Sequence, residues 1–180
     1  MTYAAFFRGI NVGGKNVVKM AELRQMLFGL DYQNVKTYIQ SGNAVFDAEG
    51  TADSIRGDIS AAFCNAFGFE STVLLRTKDE IGAVIEGLPF SEAERVAVVT
   101  ASPGLEHLYY YFSDDGFSLV PDAAYLADGT ADRLVVGPDG AYRLCQGSVR
   151  DSKPALALAK RKSALTARNW KTLTNIMAMM

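Results

Sequence analysis

The clearest fold signal in this sequence is the segment Val35-Lys36-Thr37-Tyr38-Ile39-Gln40-Ser41-Gly42-Asn43-Ala44-Val45-Phe46. Residues 35–40 alternate as a strand does, Ser41-Gly42-Asn43 is typical of a tight turn, and Ala44-Val45-Phe46 predicts an antiparallel return strand. We therefore expect a β-hairpin at this point of the chain.

The segments on either side of the hairpin predict the rest of one α+β half. Thr2–Arg8 is an apolar, aromatic run typical of a buried strand, and residues 20–30 carry apolar side chains at helical spacing. Ala52–Phe67 predicts a second helix that Gly68 would cap, and residues 71–76 predict a fourth strand. The resulting order β-α-β-β-α-β is the ferredoxin-like motif.

The second half predicts a similar but less regular order. Residues 96–101 fit either a strand or a helix end, residues 108–112 predict a strand, and residues 134–144 predict a second hairpin. Helices are expected at Lys78–Leu88, Pro121–Leu126, Lys153–Lys162 and Arg168–Met179, the first of them capped by Thr77. We expect an α+β fold of two ferredoxin-like (βαββαβ-type) halves, residues 1–76 and 77–180, and treat duplication of one unit as a hypothesis.

Composition excludes several classes of protein. The 180 residues are 49% hydrophobic and 21% charged, which favours a globular domain with a real core over a disordered chain or a coiled coil. No run of 18 apolar residues occurs, and the first eight residues do not resemble a signal peptide. We expect a soluble cytoplasmic protein without a membrane partner. Two cysteines 81 residues apart and a single histidine, His107, predict neither a metal site nor a cofactor.

Charge is distributed unevenly along the chain. Residues 1–40 carry five basic and two acidic side chains, residues 41–149 carry six and seventeen, and residues 150–171 carry seven and one. The net charge of −2 argues against sequence-blind nucleic-acid binding, yet a local basic stripe permits one bound anion. A solvated helix face is the alternative interpretation of residues 150–171.

The strongest candidate site is the loop after the first strand. It offers two cations, two adjacent glycines and two asparagines where a strand runs into a helix, an arrangement that can hold an anion. Its candidate ligand-binding residues are Arg8, Asn11, Gly13, Gly14, Lys15 and Asn16. It matches neither the P-loop nor the dinucleotide-binding pattern. The alternative is that the glycines and asparagines only shape the loop.

Three further segments offer groups that could bind a ligand. Each has a structural alternative: a hairpin turn, a helix N-cap, and an aromatic anchor for the last helix. Their candidate residues are Gln40, Ser41 and Asn43, then Arg150 and Lys153, then Arg168, Asn169 and Trp170. No catalytic dyad, nucleophile elbow or acid–base carboxylate pair stands out.

The same motifs carry a family resemblance. Residues 8–16 with Met20 and Leu23, residues 37–46, and residues 166–172 resemble those of the bacterial proteins called domain of unknown function 1697. Arg150-Asp151-Ser152-Lys153 is similar to the family's Arg-Ser-Lys, with Asp151 as an insertion. The resemblance, from about residue 2 to residue 176, implies two intertwined ferredoxin-like halves in one compact unit. It implies no established reaction.

Three functions are compatible with these observations. The first is a binding module in which the basic and amide groups converge on one phosphate- or carboxylate-bearing small molecule or nucleotide. The second is a transferase acting on a phosphorylated substrate, and the third is a nucleic-acid-binding protein that uses residues 150–171. The sequence leaves open whether the protein is an enzyme and which oligomeric state it has.

Overall fold

The computed structural model describes residues 1–114, 132–148 and 165–180. The chain divides into two units. Unit 1 comprises Met1–Gly82 together with Thr172–Met180, and unit 2 comprises Ala83–Lys171. The predicted helices at 121–126 and 153–162 lie outside the described residues.

Unit 1 contains the predicted βαββαβ order. Its elements are β1 (Thr2–Phe7), α1 (Met20–Phe28), β2 (Gln33–Tyr38), β3 (Asn43–Asp47), α2 (Ala52–Phe67) and β4 (Val73–Thr77). The four strands form one sheet in the order β2-β3-β1-β4, and all three pairs are antiparallel. The hairpin predicted from residues 35–46 is the pairing of β2 with β3, and that prediction is confirmed.

The core of unit 1 follows from the alternation of side chains along its strands and from the apolar stripe along each of its first two helices. Alternate residues of β1, including Tyr3 and Phe7, meet the apolar faces of α1 and α2. Leu27 of α1 and Phe63 of α2 are fully buried there, and the rings of Phe7 and Phe63 stack with centroids 5.4 Å apart. The packing explains why the helical stripe read from the sequence faces the sheet.

Helix boundaries in unit 1 carry capping hydrogen bonds, and the predicted caps Gly68 and Thr77 are among them. The Thr51 hydroxyl accepts a hydrogen bond from the amide of Ser54 at 3.2 Å, and Gly68 ends α2 at φ +75°. At the start of α3 (Lys78–Glu86), Thr77 accepts from the amide of Glu80, whose carboxylate accepts from the amide of Thr77. This reciprocal pair is a capping box.

The described elements of unit 2 form a second four-stranded sheet. They are α4 (Glu92–Ala101), β5 (Leu108–Phe112), β6 (Arg133–Gly137), β7 (Gly140–Leu144), β8 (Thr166–Asn169) and the first residues of α5 (Trp170–Met179). The strand order is β6-β7-β5-β8, again entirely antiparallel. Residues 96–101, which fitted a strand or a helix end, lie in α4.

The predicted helix 168–179 is wrong at its start. Residues 166–169 form β8, paired with β5, and the helix begins only at Trp170. Thr166 and Arg168 are buried while Ala167 is exposed, so the segment has strand periodicity. The sequence did not indicate this strand, because the segment has only four residues and one of its two buried positions is an arginine. The segment becomes a strand through its pairing with β5.

The two sheets have one topology. In each, the first and third strands are central, the second and fourth are edges, and a helix starts directly after the fourth strand. The third residue of the first strand pairs with an arginine in both: Ala4 with Arg76, and Tyr110 with Arg168. The α+β class with two ferredoxin-like halves is confirmed, and the shared register supports duplication of one unit. The domain limits 1–76 and 77–180 stay a prediction.

Candidate functional site

The loop between β1 and α1 carries a small hairpin at its tip. The Asn11 amide donates to the Asn16 carbonyl at 3.0 Å, and the Lys15 amide donates to the Val12 carbonyl at 3.1 Å. Gly13 and Gly14 lie between them at φ +60° and +74°. Two consecutive left-handed residues define a type I′ turn, so the adjacent glycines of the motif make this turn possible.

The Asn11 side chain fixes this loop to the β2–β3 turn. Its Nδ2 donates to the carbonyl oxygens of Val18 at 2.9 Å and Gln40 at 2.8 Å, while its Oδ1 accepts from the Val18 amide at 2.8 Å. All three of these hydrogen bonds therefore join the Asn11 side chain to backbone groups. Asn16, at φ +51°, likewise donates from Nδ2 to the Gly9 carbonyl at 3.0 Å.

The β2–β3 turn packs closely against the same loop. Gly42, at φ +74°, accepts a hydrogen bond from the Phe7 amide at 2.8 Å, and a Cβ placed on it would lie 2.8 Å from Ile10 Cδ1. Asn43 is fully buried and donates to the Tyr38 carbonyl and the Ser41 hydroxyl. Sequence-predicted residues of the loop and of the turn are thus brought together in unit 1.

The cations of this region differ in their environment. Lys19 forms an ion pair with Glu22 at 3.1 Å, so its charge is compensated. Within residues 1–114, 132–148 and 165–180, neither Arg8 nor Lys15 has a carboxylate within ion-pair distance. Arg8 is partly buried and Lys15 is exposed. Of the three cations of this loop, Arg8 and Lys15 are therefore the two whose charge no described carboxylate compensates.

Two residues next to Arg8 were missed by the sequence reasoning. The Arg8 amide donates to the Thr72 carbonyl at 2.9 Å, and the Ser71 hydroxyl donates to the Arg8 carbonyl at 2.9 Å. Both contacts arise from the pairing of β1 with β4 across more than sixty residues of sequence. No local pattern could have indicated them.

The C-terminal candidates belong to unit 2 and have a different character. Arg168 is buried, and its Nη1 donates to the Thr166 hydroxyl at 3.0 Å and the Ala167 carbonyl at 2.8 Å. Burial lowers its pKa to about 10, so the side chain remains charged at neutral pH. Trp170 is partly buried, with its ring 6.5 Å from that of Tyr142. Arg150 and Lys153 lie outside the described residues, and convergence of all candidates on one ligand stays a prediction.

Arg76 is the structural counterpart of Arg168 in unit 1, and the sequence reasoning did not single it out. Each arginine is buried, precedes the last residue of its strand and donates from Nη1 to the carbonyl oxygen of the residue before it. For Arg76 that acceptor is Leu75, at 2.7 Å. The signal that identifies the pair is the shared strand order, which is visible only in the structure.

Unit 2 also buries a polar cluster. Arg143, fully buried on β7, forms an ion pair with Asp132, whose other oxygen accepts from the Gln146 amide at 2.8 Å. Burial raises the pKa of the nearby Cys145 thiol to about 11, so this thiol is not an activated nucleophile. The ring nitrogens of His107 lie 2.8 and 2.9 Å from backbone carbonyl oxygens. Arg143, Asp132 and His107 thus connect neighbouring segments of unit 2 through hydrogen bonds and an ion pair. Neither they nor Cys145 are arranged as a nucleophile with its base.

The described residues carry neither a metal cluster nor a membrane span. Across 1–114, 132–148 and 165–180, no three His, Cys, Asp or Glu side chains are placed to share a metal ion. In the same part of the chain, no helix combines the length and the apolar character needed to cross a bilayer.

Comparison with known proteins gives a family. The family model described as "Protein of unknown function (DUF1697)" matches residues 1–113, more than half of the chain. The conserved bacterial protein SP0830 from Streptococcus pneumoniae has a similar structure, with 29% sequence identity and a TM-score of 0.71 over 99% of this chain and 97% of that one. No curated protein matches. The chain, whose motif residues 8–16 and 37–46 lie within the matched segment, belongs to the DUF1697 family.

Proposed function

We propose that this protein binds an anionic small molecule or nucleotide, bearing a phosphate or carboxylate, at the loop and turn of unit 1. The observation that carries the proposal is the pair of cations, Arg8 and Lys15, that have no ion pair among the described residues. They lie on a loop whose shape is fixed by the three hydrogen bonds of Asn11. A fixed loop loses little entropy when it binds a ligand.

The turn at Gly13-Gly14 supports the same function. Both glycines are exposed, so an anion could approach the backbone amides of the turn without meeting a side chain. Arg8 offers a planar guanidinium suited to bidentate contact with phosphate or carboxylate, and Lys15 offers a mobile point charge. Gln40, exposed on the adjoining turn, adds a neutral amide side chain.

Titration with sodium phosphate and sodium pyrophosphate tests the proposal. An anion at 100 times its dissociation constant should add about 2.7 kcal/mol to the free energy of unfolding, a shift of about 5–10 °C at about 2–4 °C per kcal/mol for a chain of this size. Arg8→Gln and Lys15→Gln should each weaken binding about 10-fold or more, since hydrogen bonds to charged groups contribute about 1.5–3 kcal/mol.

The matched control is Lys78→Gln, which removes an exposed lysine at the start of α3. Its affinity for both anions should equal that of the wild type. The proposal is wrong if neither anion shifts the melting temperature, or if Lys78→Gln weakens binding as much as Lys15→Gln does.

A further inference from the structure

Three of the exposed large apolar residues of unit 1 are chain neighbours of the residues that the Asn11 hydrogen bonds join. Val12, Val17 and Ile39 are 66%, 69% and 53% exposed. Val12 follows Asn11 in the chain. Val17 precedes Val18, whose backbone N–H and C=O both form hydrogen bonds with the Asn11 side chain. Ile39 precedes Gln40, whose carbonyl oxygen accepts a hydrogen bond from Asn11 Nδ2. The three residues therefore lie on chain segments that meet at Asn11. Single exposed apolar residues scattered over a surface are normal and do not indicate a binding site, whereas neighbouring ones do.

Ile39 is also strained. Its φ of +46° lies in the left-handed region, where a β-branched side chain is an outlier. Asparagine or glycine would relieve the strain, and a polar residue would suit an exposed position better. Neither stability nor solubility accounts for an isoleucine here, whereas contact with an apolar part of a ligand does.

Two cationic residues lie on the same loop as two of these apolar residues. The Lys15 amide donates to the Val12 carbonyl across the tip hairpin, and Arg8 precedes Gly9, whose carbonyl accepts from Asn16. The region therefore combines cations with aliphatic surface. Such a surface complements a molecule that joins an anionic group to an aliphatic one.

We infer that the ligand is a soluble phosphate monoester with an aliphatic substituent, its phosphate at Arg8 and Lys15 and its chain against Val12, Val17 and Ile39. This inference rests on the proposed anion site and adds the class of ligand. Affinity should then rise with chain length, by up to about fourfold for each methylene that leaves water.

Calorimetric titration with inorganic phosphate and with methyl, butyl and hexyl phosphate tests this. Hexyl phosphate should bind at least about 10-fold more tightly than methyl phosphate. Equal affinities within twofold overturn the inference and leave the anion site standing. Failure of all four compounds to bind overturns both.

The decisive variant is Ile39→Asn, because it should fold better than the wild type. Relief of the left-handed strain should raise the melting temperature by about 2–4 °C. The affinity for inorganic phosphate should not change, while the advantage of hexyl over methyl phosphate should fall by threefold or more. Retention of the full advantage in this variant overturns the inference.

Val136→Thr provides the matched control, since Val136 is a valine of unit 2 with 51% exposure. It should bind every ester as the wild type does, and a loss of chain-length preference in it counts against the assignment. A second arm uses phosphatidylcholine vesicles with and without phosphatidic acid. Binding to the acidic vesicles without binding to soluble hexyl phosphate overturns the assignment to a free small molecule.

Discussion

At the scale of single residues, the asparagines of the motifs serve the backbone. Asn11, Asn16 and Asn43 each direct their side-chain amide at carbonyl oxygens or a hydroxyl within unit 1. The sequence indicated that they could bond either a ligand or their own loop, and the hydrogen bonds described for all three lie within unit 1. Their role as ligand contacts stays a prediction, and the proposed site relies on the charges of Arg8 and Lys15 and on the exposed turn.

Gly42 gives the sharpest prediction at this scale. Gly42→Ala should lower the free energy of unfolding by about 1–3 kcal/mol, because the new methyl group would lie 2.8 Å from Ile10 Cδ1 at a φ of +74°. Urea denaturation followed by circular dichroism measures the change.

Gly57→Ala is the matched control for this variant. Gly57 is exposed within α2, and a Cβ there would meet no atom within 4 Å. Alanine favours the helix, so a gain of about 0.5–1 kcal/mol is expected. A Gly42→Ala protein as stable as the wild type would show that the turn does not pack as described.

At the scale of elements, one carboxylate joins three strands of unit 1. Asp47 on β3 accepts from Asn34 Nδ2 of β2 at 2.7 Å and from the Thr2 hydroxyl of β1 at 2.6 Å. These two hydrogen bonds, that of Asn34 first, lower the pKa of Asp47. The charged carboxylate is therefore favoured in the folded state.

The pH dependence of stability follows from that shift. Asp47 contributes stability above the unfolded carboxyl pKa of about 3.9, and this contribution is lost as the pH falls through the lower folded pKa. Asp47→Asn should destabilise at pH 7 by on the order of 1 kcal/mol or less, since the carboxylate is partly exposed. The deficit should shrink below about pH 4.

Urea denaturation at several pH values between 2 and 7 measures this convergence. The control is Glu49→Gln, which removes an exposed carboxylate two residues beyond β3. Its difference from the wild type should not follow the same pH course. A deficit of Asp47→Asn that stays constant down to pH 2 would contradict the assignment.

The helices and strands also show which features the local sequence pattern could predict and which it could not. Helix α2 was predicted to the residue because its apolar periodicity and its C-terminal glycine are local signals. Strand β8 was missed because its four residues become a strand only through pairing with β5. Arg143 and Asp132 could not be paired in advance either, since β7 and the residue before β6 meet only in the folded sheet.

At the scale of the whole molecule, both sheets have the same strand order, and the last residues of the chain belong to unit 1. Thr172–Met180 belong to unit 1, where Leu173 and Ile176 of α5 are fully buried. Near the end of that helix, Lys36 Nζ of β2 donates to the Met179 carbonyl at 3.2 Å. The C-terminal segment therefore belongs to unit 1 and contributes buried apolar side chains.

Truncation of a buried side chain of this segment tests the assignment. Ile176→Ala should cost about 2–5 kcal/mol, as removal of a buried aliphatic side chain does, and should increase amide hydrogen exchange in the strands of residues 1–82. Ala178→Ser, at an exposed position of the same helix, should stay within about 0.5 kcal/mol of the wild type. Unchanged exchange in residues 1–82 would contradict the membership of α5 in unit 1.

Local sequence signals were sufficient to predict the α+β class, the order of elements in unit 1, the family motifs and the position of the candidate loop. These depend on periodicity, caps and turn residues, which act over a few positions. Three features become visible only in the folded chain: Asn11 joins the loop to the turn, Ser71 and Thr72 contact Arg8, and Arg76 occupies the position in its sheet that Arg168 occupies in the other. Such contacts depend on the register between distant strands, which chain closure and core packing set together.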